Sequence, residues 1–205
     1  MTGDNLRKLT LENHKNAERT AFLRRILKKN ITPYQYYLYL SNQFLMYSAL
    51  EYYADKLGIF DGVEEVKRSC NLRKDIEELE REYGFETPVV TDAAQEYYEY
   101  VINDISEDYV KLLAHLYVRH VGDLSGGQII KKLVPGSGNH YEFDCDVETL
   151  KQKFRKKMDD TLADEAKVCF EMIEKFLKEL ETRVNDLEEF GYYTTPNRGI
   201  VQQKP

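Results

Sequence analysis

His14 and Glu18 stand four residues apart near the N-terminus. On a helix that spacing puts both side chains on one face. The carboxylate can then take the proton of one imidazole nitrogen and leave the other for a metal. The same pair is also an ordinary surface contact of helices. A second stretch runs His115-Leu116-Tyr117-Val118-Arg119-His120-Val121-Gly122-Asp123-Leu124-Ser125-Gly126-Gly127-Gln128. It begins as a good helix, spends three glycines within six residues, and resumes with helix formers through Leu133. Each glycine inside a helix costs about 0.5–1 kcal/mol relative to alanine. The stretch is therefore a loop between helices, or a kinked helix whose bare backbone lies against something flat. Gly122, Gly126 and Gly127 sit near one side, and Arg119 and Asp123, four apart, would form a polar pair beside them.

The third element is Lys151-Gln152-Lys153-Phe154-Arg155-Lys156-Lys157, with five basic residues of seven. Lys151 and Arg155 share a face and could hold carboxylates or phosphates; a solvated basic face is the plainer alternative. His115 and His120 are five apart, which is not ligand spacing on a helix. His140 follows Gly136-Ser137-Gly138-Asn139, reads as part of a flexible loop, and is a poor candidate. Leu124 to Gln128 spells the signature of ATP-binding cassette proteins. That motif works only beside a P-loop following a strand, and the chain has neither.

These residues need helices to position them. The chain has only 11 glycines and 5 prolines, and the long runs without either suit helices better than strands. Thr32-Pro33-Tyr34-Gln35 is a capping box with proline at the first helical position, predicting a helix to about Leu57 that stops at Gly58. Asp92-Ala93-Ala94-Gln95 reads as a second capping box, and Ser106-Glu107-Asp108 as another helix start. Thr161 opens the last long helix, with Ala166, Phe170, Ile173, Phe176, Leu177 and Leu180 at helical spacing. Asp75 to Tyr83 is a shorter helix closed by Gly84. Asp4 to Lys29 is one helix or two, with Thr20 as cap of a second piece. A short extended piece is expected near Tyr141–Phe143. The tyrosines of Tyr34–Tyr53 stripe a helix and read as core. From Gly191 to Pro205 there is little periodicity and a loose tail is expected. The reading is one all-α, multi-helix domain over residues 1–190.

With 205 residues the chain can bury a core without staples. Its net charge of −7 takes weight from general nucleic-acid binding. Cys70, Cys145 and Cys169 cannot all pair and match neither a zinc site nor a CxxCH haem attachment, which predicts a cytoplasmic, thiol-bearing protein. No apolar run approaches the roughly 18 residues needed to span a bilayer. MTGDNLRKL has no hydrophobic signal region, so no secretory leader is expected.

Taken together, the three segments resemble the haem oxygenase family, in the family's order, from roughly Leu6 to Leu187. Gly122-Asp123-Leu124-Ser125-Gly126-Gly127-Gln128 resembles its distal-helix motif; His14 with Ala17 and Glu18 resembles its proximal segment; Lys151 through Met158 resembles its basic stretch at the haem propionates. The resemblance implies a fold that sandwiches haem between a proximal and a kinked distal helix. It implies that His14 is the axial iron ligand, oriented by Glu18. Gly122, Gly126 and Gly127 would bring the distal backbone onto the haem, leaving space for dioxygen. Asp123, with Arg119 and Tyr117, would hold an ordered water network, and Arg7, Lys151 and Arg155, helped by Tyr117, would hold the propionates. Arg7 stands where the family often has lysine, and His120 where an aromatic is familiar.

Haem b would be both substrate and oxygen-activating cofactor, with dioxygen as co-substrate. A neutral imidazole pushes less on the iron than a thiolate, so cleavage of the O–O bond is less favoured. The products implied are biliverdin IXα, carbon monoxide and ferrous iron. The chain carries no flavin or nicotinamide motif, so electrons must come from a separate donor. With no counterpart expected for the membrane anchor of animal members, reduced ferredoxin or another soluble donor is implied, with a downstream bilin reductase as a further partner and no membrane. Two other readings stand beside this one: a haem carrier or sensor on the same fold without turnover, and a helical interaction protein without cofactor.

Overall fold

The N-terminal stretch breaks into three short helices, α1 Asp4–Leu9, α2 Leu11–Glu18 and α3 Ala21–Leu27, where one or two were expected. The breaks fall at threonines that close the preceding turn. Thr10 donates its hydroxyl to the Leu6 carbonyl at 3.0 Å and Thr20 to the Ala17 carbonyl at 2.8 Å. Hydroxyls spent this way compete with helix continuation.

The next helix, α4 (Pro33–Lys56), begins at the Thr32 capping box. Gln35 N–H donates to Thr32 Oγ1 at 3.3 Å, and Thr32 N–H to Gln35 Oε1 at 3.0 Å. The chain leaves this helix through Gly58 at φ +66°, a conformation that costs glycine nothing. Tyr36, Tyr37, Leu40, Met46, Tyr47 and Leu50 are all buried, so the helix is covered almost all round and sits at the centre of the fold.

Around it come α5 (Ser69–Tyr83), α6 (Asp92–Tyr100, continued by a π turn Val101–Ile105), α7 (Tyr109–Ile130), α8 (Val147–Arg155) and α9 (Ala163–Glu189). Several starts differ from the sequence expectation, and at two of them a distant carboxylate meets first-turn N–H groups. α5 begins six residues before Asp75, where Glu51 of α4 accepts from the Ser69 N–H at 3.1 Å and from its hydroxyl at 2.5 Å. The cap of α6 is Thr91, one residue before Asp92, and Glu179 of α9 accepts the Asp92 and Ala93 N–H groups at 3.0 and 2.8 Å. For α7 the cap is Asp108 rather than Ser106. α9 starts two residues after Thr161, behind a 3-10 turn at Asp160–Leu162.

This is a computed structural model that describes residues 4–86, 88–189, 193–194 and 201–202. After Glu189 it describes only a two-residue antiparallel pairing of Tyr193–Thr194 with Val201–Gln202; the rest of the expected loose tail lies outside the described residues. α4 packs on α5, α6 and α7; α7 packs on α8 and α9; α2 and α3 lie on α9. A 3-10 turn at Asn139–Tyr141 lies against α5 and α7, so of the expected extended piece Tyr141 is in the turn and the backbone is extended at Glu142. No described helix is long and apolar enough to cross a membrane.

Candidate active site

Elements far apart in sequence meet at a cavity of about 320 Å³. α1 contributes Leu6 and Arg7, α2 His14, and α7 Tyr117, Val118, Val121, Gly122 and Ser125; Lys151 and Arg155 come from α8, Met158 follows it, and Phe170 comes from α9. Six residues singled out in the sequence are thus brought together: Arg7, His14, Tyr117, Gly122, Lys151 and Arg155.

His14 Nδ1 lies 3.4 Å from Glu18 Oε2, leaving Nε2 for the cavity. The imidazole meets the Phe170 ring edge-on at 5.8 Å between centroids, which limits its rotation. Its side chain is 51% exposed, so the nitrogen is accessible to a ligand.

α7 runs unbroken through all its glycines. They divide into two kinds. A methyl group at Gly127 would lie 2.6 Å from Tyr141 Cδ1, so Gly127 is needed for packing against the Asn139–Tyr141 turn. That corrects the expectation that it faces the same ligand as the other two. Gly122 and Gly126, one helical turn apart, would place a methyl within 4 Å of nothing. No packing among the described residues demands glycine there; what the bare backbone provides is room. A flat group against that face, with an imidazole bordering the same cavity, fits the haem that the sequence implied.

Three cations line the cavity and suit two carboxylate tails. Lys151 is partly committed, since its Nζ lies 2.8 Å from Glu148 Oε2. The Tyr117 hydroxyl is 3.3 Å from Thr10 Oγ1.

Asp123 and Arg119 do not pair with each other. The Arg119 guanidinium is buried over the faces of Tyr47 and Tyr97, 4.3 and 4.8 Å from their centroids, and donates to Gln43 Oε1. Sharing a helix face did not bring the two together, because two aromatic rings and an amide outcompete one carboxylate for the planar cation. Asp123 is held instead from other elements: the Tyr47 hydroxyl donates to Oδ2 at 2.7 Å, and His140 Nε2 lies 3.2 Å from Oδ1. Burial opposes the charged form of Asp123, but His140, His120 and Tyr47 outweigh it and hold the carboxyl below its usual range. Burial and the Asp123 charge push the Tyr47 phenol well up, so it stays a donor. His140, dismissed in the sequence as a loop residue, is in fact buried. Nothing local in the sequence marks it; its contact depends on a turn anchored from α5. His120 and His115 are core residues, bonded to Glu51 at 2.9 Å and to Glu165 at 3.0 Å.

A family model described as "Heme oxygenase" matches residues 2–179. Among curated relatives, heme oxygenase 1 of Nostoc sp. is 32% identical, with 86% of this chain and 84% of that protein covered. The heme oxygenase of Guillardia theta is 29% identical over the same shares. The solved structure of heme oxygenase-1 from Synechocystis sp., in complex with heme, superposes with a TM-score of 0.77 at 27% identity, covering 90% of this chain and 94% of that one.

Proposed function

The chain belongs to the haem oxygenase family, and on that premise we propose that its cavity binds haem and opens the ring to biliverdin IXα, carbon monoxide and ferrous iron. Dioxygen is the co-substrate and a separate donor supplies the electrons. The observation that carries this is the bare backbone of Gly122 in the same cavity as the Glu18-backed imidazole of His14, with Gly126, one turn on, equally open. Bound there, haem supplies the iron that activates dioxygen and the ring that is opened.

The remaining work falls to the chain. Glu18 fixes the His14 tautomer and so presents Nε2 as ligand. Gly122 and Gly126 let main chain rather than side chain border the ring. Among the described residues no carboxylic acid lines the cavity. Asp123, ionised and set behind that face, orders water and meters protons through it instead of delivering them directly. Arg7, Lys151 and Arg155 hold the propionates, fixing the in-plane rotation and hence which meso carbon is cut. The side chains of Lys153 and Lys156 are exposed beside Arg155, a positive patch that suits a small acidic donor such as ferredoxin. Residues 1–190 make up the catalytic domain, and a bilin reductase is the consumer of the product.

The test is turnover of bound hemin with a reducing system and air, read by product spectrum and chromatography. A single biliverdin isomer is expected. A spectrum unchanged by reductant and oxygen would instead identify a haem carrier.

A further inference from the structure

Both oxygens of Asp123 are taken by side chains from outside its own helix, Tyr47 and His140. His140 touches Oδ1 through Nε2 at 3.2 Å, and since a carboxylate only accepts, Nε2 carries the proton. The residue is 1% exposed, yet its other ring nitrogen, Nδ1, has no hydrogen-bond partner among the described residues. A buried polar atom left unpaired is a cost that an apolar side chain would avoid.

The turn carrying His140 is fixed from two sides. Asp75 on α5 accepts the Asn139 and His140 N–H groups at 2.7 and 2.8 Å, and Arg68 Nη1 donates to the His140 carbonyl at 3.3 Å. The Tyr141 and Tyr47 rings pack edge-on against the imidazole, at 4.4 and 5.4 Å between centroids. His120, which also packs on Tyr47, is occupied by Glu51. The imidazole therefore has one polar task among the described residues, the contact to Asp123.

We infer that His140 is a positioning residue for ring opening: its Nε2–H holds Asp123 as a carboxylate in one orientation, so that the water Asp123 orders has a fixed acceptor. This rests on the role proposed for Asp123. The depressed carboxyl of Asp123 agrees with it, since His140 is the strongest influence working against burial there.

The first measurement uses the haem-free protein, so it reads the contact whether or not Asp123 acts on haem. The Asp123 carboxyl is followed by carbon-13 NMR across pH in wild type, His140→Gln and His140→Ala, and assigned by its loss in Asp123→Asn. Glutamine keeps an N–H near the Nε2 position without titrating. The Asp123 midpoint is expected to rise by about one unit or more in His140→Ala and by less in His140→Gln. In the haem-loaded protein, His140→Ala is expected to lower biliverdin formed per haem consumed by about 10-fold or more, with hemin affinity nearly unchanged, and His140→Gln to restore most of the yield. His140→Asn, too short to reach Asp123, takes the place of the alanine variant if that fails to fold. An unmoved Asp123 midpoint, or full biliverdin yield without the His140 donor, overturns the proposal. Normal yield from Asp123→Ala removes the role of Asp123 itself, and the NMR shift then marks a contact without catalytic consequence.

Discussion

A methyl group placed on Gly127 would lie 2.6 Å from Cδ1 of Tyr141, whereas one placed on the preceding Gly126 meets nothing within 4 Å. Adjacent glycines therefore answer to different demands. Gly127→Ala should displace Tyr141 and destabilise the haem-free protein by about 1–3 kcal/mol. Gly126→Ala should gain about 0.5–1 kcal/mol from helix propensity in the same protein. Gly126→Leu should keep that fold and weaken hemin binding. Thermal melts of the haem-free variants and hemin titrations check this division; equal losses of stability at both positions would break it.

The propionate cations should act on orientation more than on affinity. Exposed charge pairs are worth only about 0.2–1 kcal/mol each. Lys151 is also shared with Glu148, whose carboxyl it lowers. Replacing Lys151 and Arg155 by glutamate should let the haem rotate and reduce the α isomer of biliverdin. An isomer ratio unchanged by chromatography would remove them from this role.

Electron delivery gives a separate prediction. Steering by a positive patch weakens with salt. Turnover with ferredoxin and its reductase should slow as salt rises. Charge reversal at Lys153 and Lys156 should raise the ferredoxin needed for half-maximal rate and flatten the salt response. If neither quantity moves, the donor docks on another face.

Stability should depend on pH through a group that is not among the cavity's lining residues. His115 is enclosed by Tyr97, Glu165 and Cys169; burial disfavours its charge, but Cys169 and Glu165 raise it to about 9 from an ordinary 6.5. A folded value above the unfolded one means that the folded state binds the proton more tightly. This contribution to stability is full below about pH 6.5 and is lost as pH climbs through about 9. The denaturant midpoint should fall over that window, and His115→Gln should flatten the fall. A slope indifferent to the substitution would assign the pH dependence to other groups.

What could be read from the sequence was what depends on neighbours in the chain. The Thr32 box, the stop at Gly58, the αL glycine at Gly84 and the burial of Tyr36, Tyr37, Tyr39 and Tyr47 follow from local pattern, although Tyr52, read as core with them, is exposed. The helix start at Ser69 was misplaced because its first-turn N–H is met by Glu51, a carboxylate that only tertiary packing brings near, whereas at Asp92 the local cap is its neighbour Thr91. The same limit governed the site. The pairing of His14 with Glu18 is a property of one helix face. The i, i+4 rule says that Arg119 and Asp123 share a face, not that they prefer each other over Tyr47 and Tyr97. His140 was discarded because Gly-Ser-Gly-Asn-His shows nothing of Asp75, which pins its turn from 64 residues or more away.

The central claim is that haem is held through His14 in this cavity and cut there. The direct measurement is the absorption spectrum and biliverdin yield of hemin-loaded His14→Ala, with and without added imidazole, beside Glu18→Ala. His14→Ala should lose the imidazole-ligated spectrum and most of the yield, imidazole should partly restore both, and Glu18→Ala should lose about 10–100-fold or less. An unaltered spectrum and yield in His14→Ala, with the loss appearing instead in His115→Ala or His120→Ala, would contradict it.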